Sequence, residues 1–427
     1  MSATLAQSSP TPPAPQHAGA REIGLITLGH ALTHWYPATF FMLLPVIGAE
    51  LGLSYSQIGF IMTCQYAAGA ISNVPGGMLA DMWGKKGQLM ALSLFWVGFP
   101  YLLMGFTTQY WMLLVCIILV GIGNNLWHPS VIPTLGKMFP ERKGLVLSLH
   151  GMGGNVGDAL APLAVGILLT SLSWREIVML NVVPGLVMGV LIIYFLGALT
   201  FAPKVRPTPA GTAAPGPAEA PPALGQSFAS YQAGLRQLFK TPGLVMLTVS
   251  SSFRAMTQGT LMTFLPLYLA HQMHYSLVWV GAIMALLQAA GFLAAPIAGH
   301  LSDKMGRRQI LMSCYATTGV VLVLMTFAGG SSMFVFLVAV LGFFLYAARP
   351  IMQAWMLEAT PKNMGGTSIG LMFGMQSGGQ AIAPILGGIV ADHYGLMATF
   401  YLLAATIIIA NVLVAFVPAS VGQDPSP

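Results

Sequence analysis

Charge is what this sequence has least of. Of its 427 residues only 7% are Asp, Glu, Lys or Arg, and 56% are hydrophobic; soluble domains carry about 25% charged residues, so a soluble globule is excluded. Cysteine is scarce too. Cys64, Cys116 and Cys314 each sit in an apolar stretch with no C-x-x-C pair and no His at ligand spacing, which excludes a disulfide framework and leaves core packing as their use. There is no G-x-x-x-x-G-K-[ST] loop, no H-E-x-x-H, no serine elbow and no metal-ligand pattern; ATP-driven chemistry, an enzyme, a metal and a cofactor are all unexpected on that ground. The net charge of +6 does not gather into one stripe, so nucleic acid is not an expected partner. Residues 1–20 are polar and rich in Pro and Ala, without a basic segment leading into an apolar core, and read as a disordered cytoplasmic tail, not a signal peptide.

What is present is apolar sequence in runs of about 20 residues, the length of a bilayer-spanning helix. Gly, Pro and charge punctuation divide these runs into about twelve spans. Six fall near 23–48, 56–80, 88–107, 110–136, 144–170 and 175–200, and six near 242–270, 276–299, 310–329, 332–358, 365–390 and 395–418. The expected fold is an all-α polytopic membrane protein, with twelve transmembrane helices in two six-helix pseudo-symmetric bundles, 21–200 and 241–418. A Pro- and Ala-rich cytoplasmic linker, 201–240, joins them, and 419–427 form a short tail. Of the 17 Lys and Arg residues, Arg175 alone falls on one side; Arg254 and Arg349 lie inside spans and the rest share the other side. The positive-inside rule then places both termini and the linker in the cytoplasm.

The two halves are repeats. The run Gly77-Met78-Leu79-Ala80-Asp81-Met82-Trp83-Gly84-Lys85-Lys86 returns 222 positions later as Gly299-His300-Leu301-Ser302-Asp303-Lys304-Met305-Gly306-Arg307-Arg308. The same offset carries Gly157, Ala161, Pro162 and Gly166 onto Gly379, Ala383, Pro384 and Gly388. Parallel six-span repeats are the plan of carriers that rock about a site at the bilayer midplane. With the G-x-L-x-D-x-x-G-x-x loops after spans 2 and 8, the chain resembles the major facilitator superfamily. More narrowly, Gly121-Ile122-Gly123, Trp127-His128-Pro129, Lys143-Gly144, Gly153-Gly154-Asn155-Val156-Gly157, His30 and Ala391-Asp392-His393 resemble the fosmidomycin-resistance branch of proton-driven efflux carriers. Asp158 departs from that branch, standing where a small residue is expected.

Charges within spans are costly and are first read as functional. Asp158 and Arg254 lie roughly 18–21 Å from the cytoplasmic ends of their spans at 1.5 Å per residue, near mid-depth, with Arg349 nearer the cytoplasm. They are either a substrate and proton site or a structural pair locking the halves. Polar residues recur one helical turn apart, at His30 and His34, Arg254 and Gln258, Arg349 and Gln353, and Gln376 and Gln380, with Asn125 and His128 three apart. Each pair shares a helix face and is expected to line a common cavity or to hydrogen-bond between helices. His150 and Asp158 share a face of span 5, and His30, His34, His128 and His150 form a candidate proton-handling cluster. Trp35, Tyr36, Tyr346 and Trp355 are either stacking surfaces or packing. Gly77, Asp81, Gly84, Lys85 and Lys86, with Gly299, Asp303, Gly306, Arg307 and Arg308, read as twin latches: glycines permit a tight turn, and each aspartate can cap a helix or pair with a cation of the facing half.

These residues predict a secondary active transporter in the bacterial inner membrane, a monomer surrounded by lipid bilayer, using a proton as coupling ion. It would export a small organic anion or drug-like solute by alternating access. An importer of an organic anion, or a non-transporting sensor or assembly protein on the same fold, are the alternatives.

Overall fold

The computed structural model describes residues 19–82, 85–124, 126–139, 142–197, 240–360 and 365–418. The expected tails and linker lie outside the described residues except at their edges, as do Asn125, Gly84 and the side chain of Asp81. Among the described residues the chain is helical, with no strand. The first half comprises α1 (Ala20–Glu50), α2 (Tyr55–Met82), α3 (Lys86–Met104), α4 (Tyr110–Asn124), α5 (Trp127–Met138), α6 (Lys143–Leu168), α7 (Trp174–Leu180) and α8 (Val182–Leu196). The second comprises α9 (Pro242–Leu267), continued by a π turn over Tyr268–Gln272, then α10 (Leu277–Met305), α11 (Arg307–Ala328), α12 (Ser332–Glu358), α13 (Gly365–Tyr394) and α14 (Ala398–Ala415).

Two of the expected spans are broken helices. Pro184 has no N–H and its ring presses on the carbonyl four residues back; α7 ends at Leu180 and α8 begins at Val182, with the side-chain amide of Asn181 donating to the Ile177 carbonyl at 2.9 Å. Span 4 divides likewise into α4 and α5, with Pro129 in the first turn of α5. Among the described residues seven segments are long and apolar enough to cross a bilayer by composition alone. The remaining long helices, α1, α2, α6, α9 and α13, run for 26 to 31 residues. They are less apolar because they carry most of the polar residues of the central cavity, which lipid-facing positions cannot hold.

Within each half the same helix pairs pack: α1 on α6, α2 on α4 and α3 on α8 in the first, and α9 on α13, α10 on α12 and α11 on α14 in the second. The halves meet chiefly through α2 with α13 and α6 with α10, and only toward one end. There Gly59 abuts the backbone of Pro384 and Ile385, and its repeat partner Gly281 abuts Pro162 and Leu163. Gly388 meets Tyr55 and Ser56; Gly166 meets Leu277 and Val278. A Cβ on Gly59 would sit 2.8 Å from the carbonyl carbon of Pro384, and one on Gly388 would sit 2.6 Å from Ser56 Cα, so only glycine lets these backbones close. The carboxylate of Asp392 adds a bond between halves, accepting from the Tyr55 and Ser56 amides at 2.8 and 2.9 Å, where it caps the start of α2. His271 donates to the Pro45 carbonyl at 3.2 Å beside it.

At the opposite ends of the same four helices, the ends next to the chain termini, a Cβ placed on Gly77, Gly151, Gly299 or Gly370 would meet nothing within 4 Å. The protein is therefore sealed on the far side and open on the side of its termini.

Candidate functional site

Between the halves lies a cavity of about 310 Å³. Its first-half wall is built on α1 and α6, which turn Thr33, His34, Asn155 and Asp158 inward, on α2 with Gln65 and Tyr66, and on Asn124 and His128. The second-half wall carries Arg254 and Gln258 from α9, Gln288 from α10 and Tyr346 and Arg349 from α12. Gln376, Ser377 and Gln380 of α13 complete it. Phe41, Met262 and Phe373 supply its apolar surface.

Of the sequence candidates, His34, His128, Asp158, Arg254, Gln258, Arg349, Gln376 and Gln380 line the cavity. His30 and His150 lie buried behind the first-half wall, and Gln353 is not part of the lining. Trp35 instead donates to Asn181 Oδ1 at 2.6 Å, while Tyr36 and Trp355 are core residues; only Tyr346 of the four aromatics reaches the cavity. The lining residues that sequence reasoning missed, Tyr66, Gln288, Asn124 and Asn155, had a signal available. The 222-residue offset maps Tyr66 onto Gln288, Asn124 onto Tyr346 and Asn155 onto Ser377.

No pair between Asp158 and Arg254 locks the halves. Asp158 binds His34 instead, its Oδ2 accepting from Nδ1 at 2.9 Å within the first half. Arg254, 2% exposed, donates to Gln258 Oε1 at 2.9 Å, and its Nε finds no partner among the described residues. Neither Arg254 nor Arg349 forms an ion pair among those residues. Two guanidinium groups on one wall thus face one carboxylate, already engaged, on the other.

The four histidines do cluster. Trp127, fully buried, packs its ring against Gly29 of α1, which draws α5 onto α1 and brings His128 beside His30. His30 Nε2 lies 3.1 Å from His128 Nε2, and its Nδ1 donates to the His150 carbonyl at 2.6 Å. His30, His34 and His128 offer nitrogens all within 4.8 Å of one another, a spacing able to hold a metal ion. Sequence spacing showed no three-ligand metal pattern because His128 comes from a helix 98 residues beyond His30, while His30 and His34 share α1.

The latches bond within their own halves. Arg307 pairs with Asp303 one turn before it and with Glu358 of α12, Nη2 to Oε1 at 2.8 Å, and Arg308 donates to the Ala415 carbonyl. Lys86 donates to the Ala80 carbonyl. The expected pairing of an aspartate with a cation of the facing half is therefore not the arrangement of Asp303 in this open state. Arg175, the lone cation of the far side, is structural: it pairs with Glu50 and donates to the Thr107 carbonyl at 3.0 Å. The Arg175 hydrogen bond holds the Glu50 carboxyl below the usual carboxylate range.

A sequence model of the Major Facilitator Superfamily matches residues 26–302 and 247–427. The chain belongs to the major facilitator superfamily. As a superfamily member it is a transporter and not an enzyme, an integral membrane protein that takes small-molecule substrates. It is 25% identical to the hexuronate transporter of Bacillus subtilis over 84% of this chain and 85% of that one. It is 24% identical to a phosphoglycerate transporter protein of Salmonella typhimurium over 90% and 85%. A 160-residue stretch is 34% identical to the multidrug resistance protein MdtG of Yersinia enterocolitica, spanning 36% of this chain and 38% of that protein. In three dimensions it superposes on a bacterial homologue of the lysosomal transporter Spinster, inward-facing and occupied, with TM-score 0.75 at 14% identity over 95% and 99% of the two chains. That likeness is one of fold.

Proposed function

We propose that this superfamily member is a proton-coupled antiporter that exports a small organic anion by alternating access. It works as a monomer in the bacterial inner membrane with its termini, linker and open cavity facing the cytoplasm. The observation that carries this reading is the pair Arg254 and Arg349, which share one cavity wall without a carboxylate partner among the described residues. Guanidinium groups are the side chains best suited to grip carboxylates or phosphates, and a cavity of about 310 Å³ suits a small solute. The resemblance to the fosmidomycin-resistance branch supports export. A second reading, uptake of an organic anion, draws on the two relatives similar over most of their length, whose names specify a hexuronate and a phosphoglycerate.

Proton coupling is assigned to the first half because Asp158 faces Gln380, its repeat partner, across the cavity. A carboxylate in a partly desolvated wall, held by a histidine, can exchange its proton as the cavity alternates between sides. Asp158→Asn should abolish accumulation driven by a pH gradient while leaving solute exchange within about tenfold of the parent protein, measured in proteoliposomes. Undiminished proton-driven accumulation would remove Asp158 from the coupling role.

The latches are assigned to the switch between states. Asp81→Asn should slow transport about tenfold while equilibrium binding changes less than about twofold, because the substitution alters the rate of closing and not the cavity. A parallel loss of binding would move Asp81 to a folding role.

A further inference from the structure

We propose that His30, His34 and His128 form a site for one divalent transition-metal ion, of zinc-like geometry, in the first-half wall of the cavity. The fourth coordination position faces the solute. Two ligands lie one turn apart on α1 and the third opens α5, so the site is assembled by packing and not by a local motif.

Three features of the geometry point to a metal. First, tetrahedral zinc with nitrogen ligands at 2.0–2.1 Å sets those nitrogens about 3.3 Å apart, and His30 Nε2 and His128 Nε2 stand 3.1 Å apart already. The nitrogen offered by His34 lies within 4.8 Å of the other two.

Second, the tautomers are fixed from behind. A carbonyl and a carboxylate can only accept, so His30 Nδ1 must donate to the His150 carbonyl at 2.6 Å and His34 Nδ1 to Asp158 Oδ2 at 2.9 Å. In the neutral rings both Nε2 atoms then carry lone pairs, and the one on His30 stands 3.1 Å from His128 Nε2, within reach of its N–H. Metal-bound histidines are held in this way, with the second nitrogen tied to a carboxylate or a backbone carbonyl.

Third, space is kept for the rings and a polar reserve stands behind them. A Cβ on Gly154 would lie 2.8 Å from His30 Cε1 and 2.9 Å from His34 Nε2. His150 stacks on His30 with ring centroids 3.8 Å apart, and its two ring nitrogens, in a residue 4% exposed, have no partner among the described residues. His34 and His128 also line the cavity, so the vacant position of a three-histidine ion opens onto the space where the solute binds. Water, or a carboxylate of the solute itself, would complete the tetrahedron.

The site is tested on the whole protein purified in detergent, its affinity tag removed and its metals stripped by chelator, by titrating Co²⁺ and reading visible absorption. One Co²⁺ per chain with the intense bands of a tetrahedral centre, displaced by one equivalent of Zn²⁺, is expected. His30→Gln and His128→Gln should each weaken binding by at least about tenfold, and Asp158→Asn by about 10- to 100-fold without abolishing it. His300→Gln, an exposed histidine elsewhere, should leave it unchanged. Should the histidine variants fail to fold, Cu²⁺ bound to the unaltered protein reports its ligands through nitrogen hyperfine splitting, with three imidazoles expected. No saturable one-to-one binding, unchanged affinity in the histidine variants, or fewer than two coordinated nitrogens would overturn the site. None of these readouts needs solute or a gradient, so their failure leaves the anion-carrier reading standing.

Discussion

Replacing Arg254 by Gln is expected to make the empty protein more stable and to remove its response to solute. Among the described residues Arg254 is a buried cation with one neutral hydrogen-bond partner and an unpartnered Nε. A buried charge lacking a counter-charge costs several kcal/mol, so the shorter, neutral glutamine should relieve about 1–3 kcal/mol of that burden. An anion entering the cavity supplies the missing charge, and binding to the folded state alone raises stability by mass action. Thermal unfolding across a panel of organic anions would therefore show a higher melting temperature for empty Arg254→Gln and a binding loss of about 100-fold or more. Removing a residue that served only to brace the fold would instead lower the melting temperature and leave the anion response in place.

The second large effect concerns the far-side seal. Gly59→Leu places a side chain against the Pro384 and Ile385 backbone, which cannot step aside as a flexible side chain can. Overpacking of this kind costs about 1–3 kcal/mol, and it falls only on the conformation in which the far ends touch. Far-side opening should be favoured by roughly 5- to 150-fold, with transport reduced by more than about tenfold. Gly281→Leu, at the repeat position, should act alike. Gly77→Leu, which meets open space here, should be accepted in this state and obstruct closure of the terminal side. Spin labels at Gln109 and Gly330, exposed far-side loops of the two halves, would report a longer separation in Gly59→Leu. An unchanged distance with normal transport would mean that the seal lies elsewhere.

The repeat was the most legible feature of the sequence. An offset of 222 residues, read from two loops and one glycine-proline helix, implied two like bundles, and the paired contacts of Gly59 with Pro384 and Gly281 with Pro162 obey it. Helix breaks were harder to read: Pro184 lies inside an apolar run whose hydropathy continues unbroken, and a proline can kink a span or interrupt it. The cavity was legible where charge made burial costly, at Asp158, Arg254 and Arg349. It was opaque at Gln65 and Gln288, because a single amide in a span serves helix packing as readily as ligand binding. The lock between Asp158 and Arg254, one of the two readings left open, fails for a related reason. Coulomb attraction singles out Arg254, but His34 lies on the helix that packs directly against α6. The histidine cluster was foreseen as a group, while its metal-ligand spacing required the packing of Trp127 on Gly29, which no linear pattern announces.

Anion transport driven by protons is measured most directly in proteoliposomes with an imposed pH gradient, following radiolabelled hydroxycarboxylates, sugar acids and phosphate esters. The parent protein should move at least one of these anions against its concentration gradient. Arg254→Gln should lose that flux entirely, and Asp158→Asn should retain exchange without accumulation. Transport of neutral or cationic solutes only, or anion accumulation that survives both substitutions, would contradict an arginine-based anion site coupled to protons through the first half.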